Sequence, residues 1–189
     1  MARSFSVADF KSNLQFGGAR STLFQVQLTA PPQLGLDLDL RKAPFLVKTA
    51  NIPASNLGLI PVPYFGRIVK MAGDRTFDPW AVTVINDEDF KIRNALETWS
   101  NSINQHRGNT RLGSAVNLSY KATAMVTQYS KTGEILRIYN FEGLYPANIS
   151  AIDLDWSNTD RIEEFQVTFE YDNWVVAGGG VTGTPGNQG

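Results

Sequence analysis

The sequence predicts a mainly β fold: an antiparallel β-sandwich or small barrel with one flanking α-helix. Three observations carry this. Apolar and polar residues alternate with period two in several short runs, the pattern of half-buried strands. A single stretch in the middle of the chain carries an apolar stripe at helical spacing. Strand-like runs flank that stripe on both sides in hairpin-like succession, which suits an antiparallel sheet with a helix packed on it.

In chain order, a short helix is expected over Val7 to Leu14, broken by Gly17 and Gly18. Thr22 to Thr29 is a strand, with Phe24, Val26 and Leu28 alternating against Gln25, Gln27 and Thr29. Pro31 and Pro32 end it, because proline cannot donate to a ladder. Leu and Asp alternate from Leu36 to Leu40, as an edge strand or an excursion would. Phe45 to Ala50 reads as a strand stopped by Pro53. Asn51 to Pro63 holds three prolines and Gly58 and reads as an extended loop. Its apolar residues, Ile52, Leu57, Leu59, Ile60 and Val62, need cover from their own domain or from a neighbour. Tyr64 to Ala72 is a further strand ending in Gly73-Asp74-Arg75, and Trp80 to Ile85 follows with Trp80, Val82 and Val84 on one face. Asn86 is expected to cap a helix whose first turn holds Asp87, Glu88 and Asp89, where the helix dipole favours acids. Ile92, Ala95, Leu96, Trp99 and Ile103 form its buried stripe. A hairpin follows around Lys131-Thr132-Gly133, then strands at Ile149 to Leu154 and Glu163 to Tyr171. In the last, Phe165, Val167, Phe169 and Tyr171 face one way and Glu164, Gln166, Thr168 and Glu170 the other. From Gly178 the chain is glycine-rich and should be flexible.

Composition narrows the function classes. The chain has 189 residues, 42% hydrophobic and 19% charged, enough for one domain with a real core and a surface low in charge. A net charge of -1 gives no global field toward nucleic acid or membrane. There is no cysteine, so disulfide and thiolate chemistry are excluded. No apolar run approaches the roughly 20 residues of a membrane helix. The charge is unevenly spread. Six basic residues against Asp74 lie between Arg41 and Arg75, and seven acids against Arg161 lie between Ser150 and Asn173. These segments either remain two solvated faces or meet across a subunit interface.

Little in the sequence supports catalysis. The one histidine, His106, lies in a polar loop, and no Gly-x-Ser-x-Gly elbow accompanies it. Zinc usually takes histidine or cysteine ligands, and one histidine without cysteine cannot make that set. Asp153, Asp155 and Asp160 loosely resemble a calcium loop but lack its central glycine, and a turn rich in Asp, Ser and Asn accounts for them. No phosphate loop accompanies Gly178-Gly179-Gly180. No catalytic, metal or cofactor residue is assigned.

A more specific signal is the stretch Ala72-Gly-Asp-Arg-Thr-Phe-Asp-Pro-Trp-Ala-Val-Thr-Val-Ile-Asn-Asp-Glu-Asp, which resembles the central signature of the tail tube protein of contractile-tailed bacteriophages. Ala19-Arg-Ser-Thr-Leu-Phe-Gln-Val, Lys48-Thr-Ala-Asn-Ile-Pro, Gly143-Leu-Tyr-Pro-Ala-Asn and Leu154-Asp-Trp stand in family order around it, so the resemblance runs from about Ala19 to Trp174. It implies an N-terminal arm over 1–18, a tail tube domain over 19–176 and a Gly-rich tail over 177–189. Two features depart from the family pattern: the long segment Pro31 to Lys42 and the glycine-rich tail.

The resemblance implies a structural protein of the virion tail, assembled in the host cytoplasm and not an enzyme. It implies hexameric rings with a continuous inner β-barrel, stacked into a conduit for DNA and tape-measure protein inside a contractile sheath. The implied partners are other copies of the chain, the sheath, tape-measure, baseplate and tail-terminator proteins, and DNA passing without sequence-specific binding. Ile52, Leu57, Leu59, Ile60, Asp74 and Arg75 are the subunit-interface candidates. Glu164, Gln166, Thr168 and Glu170 are the lumen-face candidates, with the outward placement equally open. A tube subunit of a type VI secretion or bacteriocin-like machine is the first alternative. The second is a monomeric β-sandwich binding module with Tyr64, Tyr129 and Tyr139 lining a groove.

Overall fold

The computed structural model describes residues 7–14, 18–36, 46–115 and 118–177. The Leu36–Leu40 alternation lies outside these beyond Leu36, as does the glycine-rich tail from Gly178. The described elements are helix α1 (Val7–Asn13), strands β1 (Phe24–Thr29), β2 (Val47–Ala50), β3 (Ser55–Tyr64), β4 (Arg67–Phe77) and β5 (Trp80–Ile85), helix α2 (Lys91–Ile103), and strands β6 (Ala122–Tyr129), β7 (Ile135–Ile149), β8 (Glu164–Glu170) and β9 (Asn173–Ala177).

All strands but β3 and β4 join one antiparallel sheet in the order β1-β6-β7-β8-β5-β2, with β9 also on β7. Strand β7 is the spine. Its first half pairs with β6 and its second half with β8. Strands β8 and β9 lie on the same edge of β7 in nearly one register, Tyr145 opposite Glu170 and Glu142 opposite Asn173. They act as one strand interrupted at Tyr171-Asp172. Gly143 makes the interruption possible. Its φ is +70°, and a Cβ there would lie 2.0 Å from the carboxylate of Asp172, which Lys121 holds in an ion pair at 2.6 Å. The sheet curls until its end strands, β1 and β2, approach without pairing.

The expected alternations supply the core. Val26 and Leu28 of β1, Trp80, Val82 and Val84 of β5, and Phe165, Val167 and Phe169 of β8 are all buried. Trp80 stacks on Phe141 at 4.4 Å between centroids. Helix α2 closes the open side with Ile92, Ala95, Leu96 and Trp99. The Trp99 indole N–H donates to the Tyr120 carbonyl at 2.7 Å, so this buried polar atom is satisfied.

The start of α2 differs from expectation. The helix begins at Lys91 after Phe90, which stands in the left-handed region at φ 51°. Residues 87–90 form a turn closed by the Phe90 N–H on the Asp87 carbonyl, so the three acids precede the helix. Asn86 does not cap it. Its amide donates to Glu163 at 2.6 Å and its backbone joins the β8 side. A second difference lies after β7, which runs through to Ile149. Residues 151–163 then form an irregular loop where a strand over Ile149 to Leu154 was expected. The acids there favour local turns: Asp155 accepts from both the N–H and the hydroxyl of Ser157.

Candidate assembly surfaces

The largest departure from expectation is also the most informative. Asn51 to Pro63 is no loop beyond Ser55. Strand β3 pairs with β4 along its whole length to make an arm outside the main sheet. At roughly 3.4 Å per residue the ten residues of β3 reach about 30 Å. Proline in such a ladder is tolerated only where its nitrogen points away from the partner strand. Pro61 and Pro63 have the same parity, so one orientation satisfies both. The free edge of β3 therefore lacks two amide donors, which blocks continued strand addition along it.

The signature Ala72-Gly73-Asp74-Arg75 acquires a physical reason. The register shifts between Leu57–Arg75 and Leu59–Ala72, leaving Gly73 and Asp74 opposite Gly58 in a bulge. A Cβ on Gly73 would come 3.1 Å from the Gly58 carbonyl carbon, tighter than most side-chain contacts, so the Gly58 backbone would have to give way. Asp74 and Arg75 thus lie inside a strand, not at its end. Arg75 turns its guanidinium to the Ser55 hydroxyl.

Two-stranded ribbons are marginal in water and need an apolar face covered. This arm has two apolar faces and neither is covered by the described residues. Pairing across the ladder puts Ile60, Val62, Tyr64, Val69 and Met71 on one side and Leu57, Leu59, Pro61, Pro63 and Ile68 on the other. Leu59 is 57% exposed and Ile60 52%. An apolar surface of this kind on both sides marks an interaction site. Of the sequence candidates, Leu57, Leu59 and Ile60 are brought together on the arm. Ile52 instead packs against the core at the arm's root.

That root is rigid. The Trp80 indole donates to the Asn51 carbonyl at 2.8 Å, and Phe77 packs between Tyr171 and Trp174. The Tyr171 hydroxyl donates to the Asp78 carbonyl at 2.7 Å. Burial first, then the charges of Asp78 and Glu170, push the Tyr171 phenol up to about 12. Because its folded pKa lies above the usual value, its contribution to stability is complete below pH 10 and is lost as pH rises toward 12. Denaturant titrations should therefore show stability falling over that window, and Tyr171→Phe should flatten that part of the profile.

The second surface is the outer face of β2, β5 and β8. Glu164, Gln166, Thr168 and Glu170 all project away from the core, as their alternation predicted. Thr83 stands opposite Gln166 and Thr49 opposite Thr83, extending a polar face across three strands. The cation placed there, Lys48, is neutralised by Glu164 at 2.6 Å. The face is neutral to acidic.

Nothing resembling a catalytic centre accompanies these surfaces among the described residues. No group of three metal-ligating side chains is present there, and His106 is exposed. Tyr64, Tyr129 and Tyr139 do not converge on a groove. They lie on the arm, beside Gln25 and against Trp174, respectively.

The family described as phage tail tube protein matches residues 19–177. The chain belongs to the phage tail tube protein family. The tail tube protein gp19 of Enterobacteria phage T4 is 34% identical over 175 residues, covering 92% of this chain and 96% of that protein. The tail tube protein of Serratia phage KSP90 is 26% identical over 88% of this chain and 94% of its own. Two solved structures share the fold. A chain from the sheath/tube terminator of the PVC extracellular contractile injection system superposes with a TM-score of 0.62 at 14% identity, covering 85% of this chain and 97% of its own. A chain from the tube-terminating cap of the anti-feeding prophage gives 0.61 at 18% identity, covering 84% and 90%. The resemblance carried by the signature residues is confirmed. The chain is a tail tube subunit, a structural component of the virion tail.

Proposed function

We propose that this tail tube subunit assembles into stacked hexameric rings whose subunits share a continuous inner β-barrel, the conduit through which DNA and tape-measure protein leave inside a contractile sheath. The observation that carries the self-assembly is the arm, whose two apolar faces need cover that the described residues do not provide. Leu57, Leu59 and Ile60 make subunit contact on it, and Asp74 and Arg75 shape its bulge and root. Ring closure would also shelter the sheet edges left at β1 and β2.

We assign the face of Glu164, Gln166, Thr168 and Glu170 to the lumen. A basic lumen would hold DNA phosphates through counterion release, whereas a neutral-to-acidic face lets the polymer slide. Sheath, baseplate and terminator proteins are the partners of the remaining surfaces. The neighbours from sheath, terminator, cap and baseplate complexes support partners of that kind. Electron microscopy of the purified protein over a concentration range tests this reading. Hollow six-fold rings or tubes with β8 lining the bore are expected. Solid fibres, or β8 on the outer wall, would contradict the assignment.

A further inference from the structure

The arm ends in an unusual turn. Tyr64 pairs with Arg67, so Phe65 and Gly66 alone make the connection, both at positive φ (44° and 78°). Such two-residue turns favour asparagine before glycine, because the first position must also enter the left-handed region. Phenylalanine there is strained. Its ring is also 90% exposed, with Tyr64 edge-on to it at 4.6 Å. A residue that is poor for the turn and costly in water points to a role in contact with something else. Arg67 and Lys70 flank it, one on each face of the arm.

Elsewhere the chain carries the complementary surface. The loop over 151–163 exposes Leu154, Trp156 and Ile162, with Trp156 entirely in solvent. Asp153, Asp155, Asp160 and Glu163 stand among them against the single cation Arg161. A cleft of about 310 Å³ opens there, lined by Leu154 and Ile162, by the acids Asp153, Asp155 and Glu163, and by the one cation Arg161.

We propose that the arm tip of one copy docks head-to-tail on this loop of a second copy, with Phe65 seated against Leu154 and Ile162 and with Arg67 and Lys70 facing Asp153, Asp155 and Asp160. The occupant is a second copy because the charges and apolar groups match in sign and kind within one sequence. An arm and a receptor at different places on each subunit make a heterologous contact, the kind that propagates along a stack. Trp156 closes over the seated arm. This contact rests on the tube-subunit reading above and names the partner surface for the arm.

The test separates turn chemistry from contact chemistry. Phe65→Asn gives the turn its preferred residue, so the arm stays folded while losing its anchor. The concentration needed for assembly, read by sedimentation and electron microscopy, should rise roughly thirtyfold, the range of an anchor residue. The paired reversals Arg67→Glu with Lys70→Glu, and Asp153→Lys with Asp160→Lys, should each weaken assembly, and the chain carrying all four should recover it. Wild-type tubes accompanied by unimpaired Phe65→Asn tubes, or a fourfold variant no better than its parents, would overturn the docking alone. Failure of the wild type to assemble at all, even when seeded, would overturn the tube-subunit reading and this contact with it.

Discussion

Leu59→Glu should abolish tube formation while leaving the subunit folded. Leu59 lies on β3 opposite Ala72 and is mostly exposed, so in the free subunit a carboxylate there loses little; surface changes of this kind cost about 0.5 kcal/mol or less. In an assembly that covers the arm, the same carboxylate is buried without a partner, at a cost of several kcal/mol. A loss of about 3 kcal/mol per contact raises the assembly concentration by roughly a hundredfold. Circular dichroism should show an unchanged thermal transition, and sedimentation should show monomer where the wild type forms tubes. Normal tubes from Leu59→Glu would remove the arm from the interface.

Trp80→Ala should have the opposite signature, damaging the fold before the assembly. The side chain is fully buried, stacked on Phe141 and in contact with Phe169 at 5.6 Å. Truncating a buried tryptophan costs about 3–5 kcal/mol through lost burial and the cavity left behind. For a chain of this length that corresponds to a fall in Tm of roughly 10 °C. The indole also holds the Asn51 carbonyl, so the arm loses its tether to the sheet. Trp80→Phe keeps an aromatic ring on Phe141 but loses part of the indole together with its N–H, so a smaller loss than for alanine is expected, about 1 kcal/mol of it from the hydrogen bond. A small effect from Trp80→Ala would mean that the Trp80–Phe141 stack is not the centre of the core.

The sheet was legible wherever one face is buried, because period-two alternation reports burial directly. Val26 and Leu28, Trp80 to Val84 and Phe165 to Phe169 all fall inside as read. The helical stripe from Ile92 to Trp99 was equally legible. The arm was legible only in its second strand, read over Tyr64 to Ala72; its first was not. Strand β3 is apolar on both sides, so no alternation marks it, and Pro61 and Pro63 read as breakers. They are compatible with a strand only because each turns its nitrogen to a free edge, which depends on the register with β4. The helix start failed for a related reason. Asn86 has the chemistry of a cap, but Glu163, distant in sequence, takes its amide. Among the site residues, the outward set on β8 followed from alternation. The anchor Phe65 could have been found only through the unfavourable Phe-Gly pair at a turn, a signal that requires knowing the turn is there.

The central claim is that the arm's uncovered faces are covered by neighbouring copies. Hydrogen exchange measured by mass spectrometry on free subunits and on assembled tubes tests it most directly. Peptides spanning Leu57 to Ala72 should exchange fast in the free subunit and become strongly protected in tubes, while the core strand β5 is protected in both. Equal exchange of the arm in the two states would contradict the account.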